Sequence, residues 1–246
     1  MVSFHRCRRF RDLIPKLVVN YHVVAPDMRG FGYSDQPSVE QFDYTFDHLA
    51  SVMDHFLDSI GVTRYGIYIQ DYGSPVGFRL FLRHPERIQA IVSQNGNAYE
   101  EGLSSFWGES IEPYWKDKNP DTEKKVRALL TLETTKFQYT KGFRNPEHVS
   151  PDSYTFDQIT LDRPGNAAIQ LALFYDYQNN VKQYPQSGKT CQTPRFTSST
   201  PVTLPWKRMW TPSRATCSRS WQNMFAERCR SSATARGVRV SVLRLP

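Results

Sequence analysis

The chain of 246 residues predicts an α/β fold: an incomplete parallel sheet flanked by helices, with a helical insertion and an irregular C-terminal tail. Three observations lead there. β-rich apolar runs alternate with helix-spaced segments from Tyr21 to Ser93, the pattern of parallel strands joined by crossover helices. The middle run, Tyr65 to Ile69, breaks at Asp71-Tyr72-Gly73 straight into a helical segment. From Gln186 onward neither the helical nor the strand period persists for long.

Taken in order, Tyr21 to Ala25 reads as a short buried strand and Pro26 to Pro37 as a loop rich in Gly, Asp and Pro. Tyr44 to Ile60 sets Phe46, Leu49, Val52, Met53, Phe56, Leu57 and Ile60 on one apolar helical stripe, and Gly61 stops it. Tyr65 to Ile69 is the second strand. Val76 to Arg83 is the helix after the turn, ending near His84-Pro85, and Ile88 to Ser93 is the third strand. Asn95 to Tyr184 differs in kind. It is mostly helical, aromatic and broken by Pro and Gly, with Lys124 to Leu132 and Ala167 to Tyr177 the clearest helices. The expected divisions are 1–95, the first part of a core; 96–185, a helical lid or cap; and 186–246, a basic tail of low order.

No apolar run is long enough to span a bilayer, and Met1 to Arg11 lacks the apolar stretch of a secretory signal. A cytoplasmic protein without membrane partners is expected. The net charge of +7 is unevenly placed: residues 186–246 carry +10 and residues 1–185 carry −3. A basic excess often marks a polyanion partner. This one has no regular basic face and no nucleic-acid motif, so nucleic acid is not expected. Cys7, Cys191, Cys217 and Cys229 fit neither zinc nor CxxC spacing, and no cofactor or metal is expected. Oligomeric state stays open.

Two motifs carry chemistry. Residues 25–35 read Ala-Pro-Asp-Met-Arg-Gly-Phe-Gly-Tyr-Ser-Asp, and Gln70-Asp71-Tyr72-Gly73 sets a carboxylate on a sharp strand-to-helix turn. With His84-Pro85-Glu86-Arg87 after the helix, residues 10–185 resemble the α/β-hydrolase superfamily in its epoxide hydrolase and haloalkane dehalogenase branch. The resemblance implies that Asp71 attacks carbon to give a covalent ester, which a histidine-activated water then hydrolyses. It implies an oxyanion donor in the Tyr72 backbone N–H. Lid tyrosines would donate to an epoxide oxygen, and Tyr139 and Tyr175 are the favoured candidates among Tyr114, Tyr139, Tyr154, Tyr175 and Tyr177. Tyr72 stands where dehalogenases of this branch commonly carry a halide-holding tryptophan, which favours the epoxide reading. The substrate would be a small apolar organic molecule, received among Phe106, Trp107, Trp115, Phe137 and Phe174. The competing role for Asp71 is a helix N-cap. The competing role for the whole chain is a catalytically silent binding protein.

Three parts of that resemblance are missing. Met1 to Arg9 shows no His-Gly loop to supply the other oxyanion donor, and residues 186–246 contain neither aspartate nor histidine to supply the acid and the base. Of His5, His22, His48, His55, His84 and His148, none follows the family's C-terminal pattern. Glu100 and Glu101 offer at most an alternative acid position. Charge, cysteine content, periodicity and resemblance all change near Gln186, which suggests ends read out of frame or through unspliced sequence. Gln186 followed by the codons permitted for residues 187–191 read from one nucleotide upstream of Gly188 allows Gln-Trp-Gln-Asp-Met; those for residues 4–8, read from one nucleotide upstream of His5, allow Pro-Ser-Leu-Ser. Sequencing the transcript and its locus across codons 1–12 and 183–195 is expected to show another frame or a splice junction that restores Trp-Gln, a later Asp and a Gly-His. A transcript that encodes the tail as written would refute the idea.

Overall fold

The structure, a computed structural model, describes residues 2–4, 7–103, 105–191 and 240–241. Its strands are β1 (Val2–Phe4), β2 (Val23–Val24), β3 (Tyr65–Gln70), β4 (Ile88–Gln94) and β5 (Val240–Ser241). They form one parallel sheet in the order β4-β3-β1-β2-β5. The three strands expected from sequence are present, the first shortened to two residues. Two more come from the ends. Val2 to Phe4 sits between β3 and β2, pairing Val2 with Ile67 and Phe4 with Ile69. Val240 pairs with Val23 within the one stretch of the tail that alternates. The tail's arginines before residue 240 lie outside the described residues, as do the side chain of Phe106 and that of His5.

The helices are α1 (Ile14–Leu17), α2 (Phe46–Ser59), α3 (Gly73–Arg83), α4 (Ser105–Ser110), α5 (Glu112–Lys116), α6 (Pro120–Arg127), α7 (Leu132–Thr140), α8 (Pro151–Leu161) and α9 (Asn166–Cys191). Helix α2 starts at an N-cap, Thr45, whose side chain accepts from the His48 N–H, with Asp47 in the first turn. Helix α6 starts four residues before the expected Lys124, because Asn119 accepts from the Asp121 and Thr122 N–H groups and Pro120 occupies the first turn. The apolar spacing alone did not show that cap. Helix α9 extends well beyond the expected Ala167 to Tyr177: Pro185 has no N–H to donate, yet the helix runs through it to Cys191.

The core lies between the sheet, α2, α3 and α9. Phe46, Leu49, Met53 and Leu57 of α2 meet Ile67 and Ile69 of β3, Val76 and Leu80 of α3, and Ile169, Leu173 and Tyr177 of α9. All residues from Gly73 to Phe81 are buried, so α3 is covered on every side. Polar contacts also tie α9 down. Asp176 accepts from the Phe46 N–H at 2.8 Å, and Arg79 donates to Asn180 at 2.7 Å. Burial pulls the Arg79 pKa down, with Asp47 and Asp176 opposing the shift. No helix among the described residues is long and apolar enough to cross a membrane.

Helix α3 approaches β3 closely at Gly77, where a Cβ would lie 2.4 Å from Ile69 Cγ2. Gly77→Ala is expected to cost about 1–3 kcal/mol, because neither a fully buried helix nor its strand can yield. A lowered denaturant midpoint at unchanged slope would show it.

Candidate active site

Asp71 occupies the two-residue junction between β3 and α3. Its backbone is left-handed, with φ 51°. A non-glycine residue takes that conformation only where the surroundings enforce it. Asn95, directly after β4, has the same φ of 51°. Gln70 pairs with Gln94, so the two left-handed residues follow paired positions at the carboxyl ends of neighbouring strands. Parallel α/β sheets gather ligands at that end. The Asp71 carbonyl accepts from the Ser74 N–H at 2.8 Å, and the N-cap of α3 is Tyr72, with no side-chain cap bond. Asp71 is therefore not the helix N-cap that sequence left open. Its side chain is 47% exposed.

The loop of residues 25–35 closes beside the elbow. Asp27 is buried and its Oδ2 accepts from the Tyr33 N–H at 3.0 Å, while Ser34 Oγ donates to the Asp27 carbonyl at 2.7 Å. Gly32, with φ 54°, lets the chain fold over this carboxylate, since a Cβ there would lie 2.3 Å from Asp27 Cγ. The connection from α8 to α9 clamps the loop: Arg163 donates to the Gly32 carbonyl and Asn166 to the Gly30 carbonyl. Asp27 thus has a structural task, and Phe31 from the same loop lies 6.2 Å from the ring of Tyr72.

One wall of the site is aromatic. Tyr72 is buried, with Phe46 at 5.2 Å, Phe174 at 6.1 Å and Tyr177 at 6.2 Å between ring centroids. Trp107 lies tilted against Tyr177 at 4.5 Å, and Trp115 lies 6.1 Å from Trp107. Burial pushes the Tyr72 hydroxyl well above its usual pKa, and the Asp71 charge adds to the shift. Burial also raises Tyr177, helped by Tyr184, Asp71 and Tyr72. Of the aromatics singled out in the sequence, Trp107, Trp115 and Phe174 join this wall; Phe137 is 52% exposed, against Lys141.

The other wall is charged. Arg9 Nε and Nη2 donate to Asp157 Oδ2 at 3.2 and 2.9 Å, and Arg9 Nη1 stands 3.9 Å from Asp71 Oδ2. Tyr139 donates to the same Asp157 oxygen at 2.5 Å, and the guanidinium sits 5.3 Å from the Tyr139 ring centre. Burial opposes the Arg9 charge, but Asp157, Tyr139 and Asp71 outweigh it and raise the Arg9 pKa above its ordinary value. Tyr139 is therefore close to the elbow through Arg9. Tyr175 instead packs on Tyr114, under the Lys118 ammonium. Tyr177 faces the elbow in its place. The signal was present: Phe174, Tyr177 and Tyr184 share a helix face that Tyr175 does not. Arg9 was missed, because nothing in the sequence links residue 9 to residue 71.

Among the described residues, the group paired with the Asp71 carboxylate is Arg9, not a histidine. His84 pairs with Asp54 at 2.9 Å, and His48 stacks on Phe42. A cleft of about 410 Å³ lined by Asp47, Arg79, Asp176 and Lys182 does not include Asp71.

A parallel sheet with an exposed carboxylate on a left-handed strand-to-helix turn is the layout of one large family. Residues 3–117 match the family described as alpha/beta hydrolase fold. An uncharacterized hydrolase of Saccharomyces cerevisiae, YNR064C, is 43% identical over 201 residues, 80% of this chain and 67% of that protein. A haloalkane dehalogenase of Psychrobacter cryohalolentis is 34% identical over 90 residues, 36% of this chain and 29% of its own. Among solved structures, the epoxide hydrolase CorEH superposes with TM-score 0.56 at 18% identity, over 74% of this chain and 69% of that one. The chain belongs to the α/β-hydrolase family. The match begins at residue 3, seven residues before the stretch in which sequence motifs were legible, in keeping with the place of β1 in the sheet. The chain spans about two thirds of the yeast relative and about a third of the dehalogenase.

The buried tyrosines set an alkaline limit. A tyrosine whose pKa is raised on folding keeps its proton where the unfolded chain loses it. Its stabilising contribution is full below pH ~10 and falls above it, by about 1.4 kcal/mol per pH unit for each such group. Denaturant unfolding is expected to show stability level to about pH 9.5 and then falling. Tyr177→Phe should make the fall shallower by about one proton.

Proposed function

We propose that the chain is a hydrolase of the epoxide hydrolase type that uses Asp71 as nucleophile. One carboxylate oxygen attacks an alkyl carbon, the ring oxygen leaves as alkoxide, and an alkyl-enzyme ester remains. The observation that carries this is the left-handed backbone of Asp71 at the end of β3, with its carboxylate half-exposed beside an aromatic wall. The Tyr72 backbone N–H, at the start of α3, is the proposed oxyanion donor. Tyr139 is a proposed lid donor, although its hydroxyl is bonded to Asp157. Tyr175 keeps that role only if α9 turns, since its ring packs on Tyr114. Residues 96–185 are the proposed cap, after a core segment of residues 1–95 and before a tail of residues 186–246. The proposed substrate is a small apolar organic molecule, in a cytoplasmic protein that binds neither nucleic acid nor membrane. Halide displacement is the variant within this chemistry and the less favoured one, since Tyr72 offers no indole N–H.

Turnover is proposed to be impaired, because residues 186–246 hold no aspartate or histidine to activate the second-step water. That same observation favours a second reading, a silent ligand-binding protein that keeps the aromatic wall. Intact-protein mass spectrometry after incubation with a small aryl epoxide separates the two. A covalent adduct mapped to Asp71, and lost in Asp71→Asn, is the expected result; an unmodified chain that still binds the diol would leave the binder.

A further inference from the structure

The family's loop that supplies a second oxyanion donor is absent from Met1 to Arg9, yet the structure brings a cation from that segment to the nucleophile. We propose that the Arg9 guanidinium takes the place of the missing donor and stabilises the oxyanion that forms on Asp71 Oδ2 when the alkyl-enzyme ester is hydrolysed. This rests on the reading of Asp71 as nucleophile.

The geometry distinguishes the two carboxylate oxygens. Arg9 Nη1 lies 3.9 Å from Oδ2, too far for a hydrogen bond and close enough for direct ionic attraction. The oxygen held by the cation is the poorer nucleophile, so Oδ1 makes the bond to carbon while the carbon–oxygen bond of the epoxide breaks. Oδ2 then becomes the carbonyl oxygen of the ester. Water adds to Cγ, and the π pair moves onto Oδ2, beside Arg9. A proton from the added water passes to solvent. When the intermediate collapses, the pair returns from Oδ2 and the Oδ1–alkyl alcohol leaves as Cγ–Oδ1 breaks, taking a proton from solvent. The oxygen from water stays in the carboxyl group, whose remaining proton passes to solvent as Asp71 ionises again, balancing the proton that the epoxide-derived alkoxide takes from solvent in the first half. Charge develops on Oδ2 only in this second half, so Arg9 favours ester breakdown selectively.

Arg9 is prepared for this. Asp157, almost fully buried, fixes the guanidinium through two donors, and Tyr139 holds Asp157 in turn. That leaves both Nη1 hydrogens uncommitted to Asp157, on the side toward Asp71. The cation is preorganised and does not need to move far to meet a growing charge.

The test follows the ester by intact mass, first during incubation with styrene oxide and then after the epoxide is removed. Because Arg9→Gln alone leaves Asp157 without its partner, the comparison is Asp157→Asn against the double variant Asp157→Asn/Arg9→Gln, with circular dichroism to establish that both fold. Expected is ester formation unchanged within about threefold and ester loss slowed by about tenfold to hundredfold in the double variant, as for removal of an oxyanion donor. Arg9→Lys, which keeps a cation, should lose ester faster than the double variant. Equal rates of loss with and without Arg9, or an ester that never decays in the native chain, would overturn the role of Arg9 alone. No ester on Asp71 in the native chain would overturn both this role and the nucleophile reading.

Discussion

The left-handed turn at Asp71 is the constraint on which the rest depends. A strand becomes a helix within two residues, and one of the two is an aspartate. A strained non-glycine backbone of this kind costs of the order of 1–3 kcal/mol and survives only where its neighbours leave no alternative. Those neighbours are identifiable. Gly77 lets α3 lie against Ile69, the Ser74 N–H bonds to the Asp71 carbonyl, and burial of every residue from Gly73 to Phe81 prevents α3 from drifting outward. Sheet and helix together hold the elbow, and the carboxylate is presented to solvent as a result.

Around that carboxylate the two walls are built differently. Tyr72, Phe174, Tyr177 and Trp107 present ring faces and edges, and burial keeps the tyrosine hydroxyls protonated far beyond neutral pH. Arg9, Asp157 and Tyr139 present a fixed charge network on the other side. α9 belongs to the first wall and to the core at once: Phe174 and Tyr177 reach the elbow, while Asp176 and Asn180 bond to α2 and α3. A shift of α9 would therefore disturb both the site and the packing of the helices below it.

Much of the fold was legible in sequence because it rests on local patterns. The stripe of α2, the apolar run of β3 and the turn at Asp71-Tyr72-Gly73 all declare themselves within a few residues. What was not legible depends on distant pairing. Val2 to Phe4 is too short to carry a period and becomes a strand only because β2 and β3 offer edges, and the alternation around Val240 does not itself say that β2 is its partner. Within the site, Asp71 was readable from its neighbours. Tyr177 was readable only as one of several tyrosines, since telling it from Tyr175 requires knowing which face of α9 meets Tyr72. Arg9 was beyond reach, because its partners lie 62 and 148 residues away.

On the proposed reading, the two halves of the chemistry make unequal demands on this chain. Forming the ester requires a carboxylate held in place next to a bound alkyl carbon, and the elbow supplies that from contacts that are all present. Breaking the ester requires a stabilised oxyanion and a water made nucleophilic. The first of these needs fixed donors and charge near Oδ2, where the Arg9 guanidinium stands. The second needs a base of suitable pKa within hydrogen-bond reach of that water. His84 and His48 are engaged elsewhere, with Asp54 and Phe42 respectively. The half-exposed carboxylate gives water access to the ester carbon, and residues 186–246 hold no histidine or aspartate to activate it. On that reading the covalent ester, not the free product, is the species expected to accumulate.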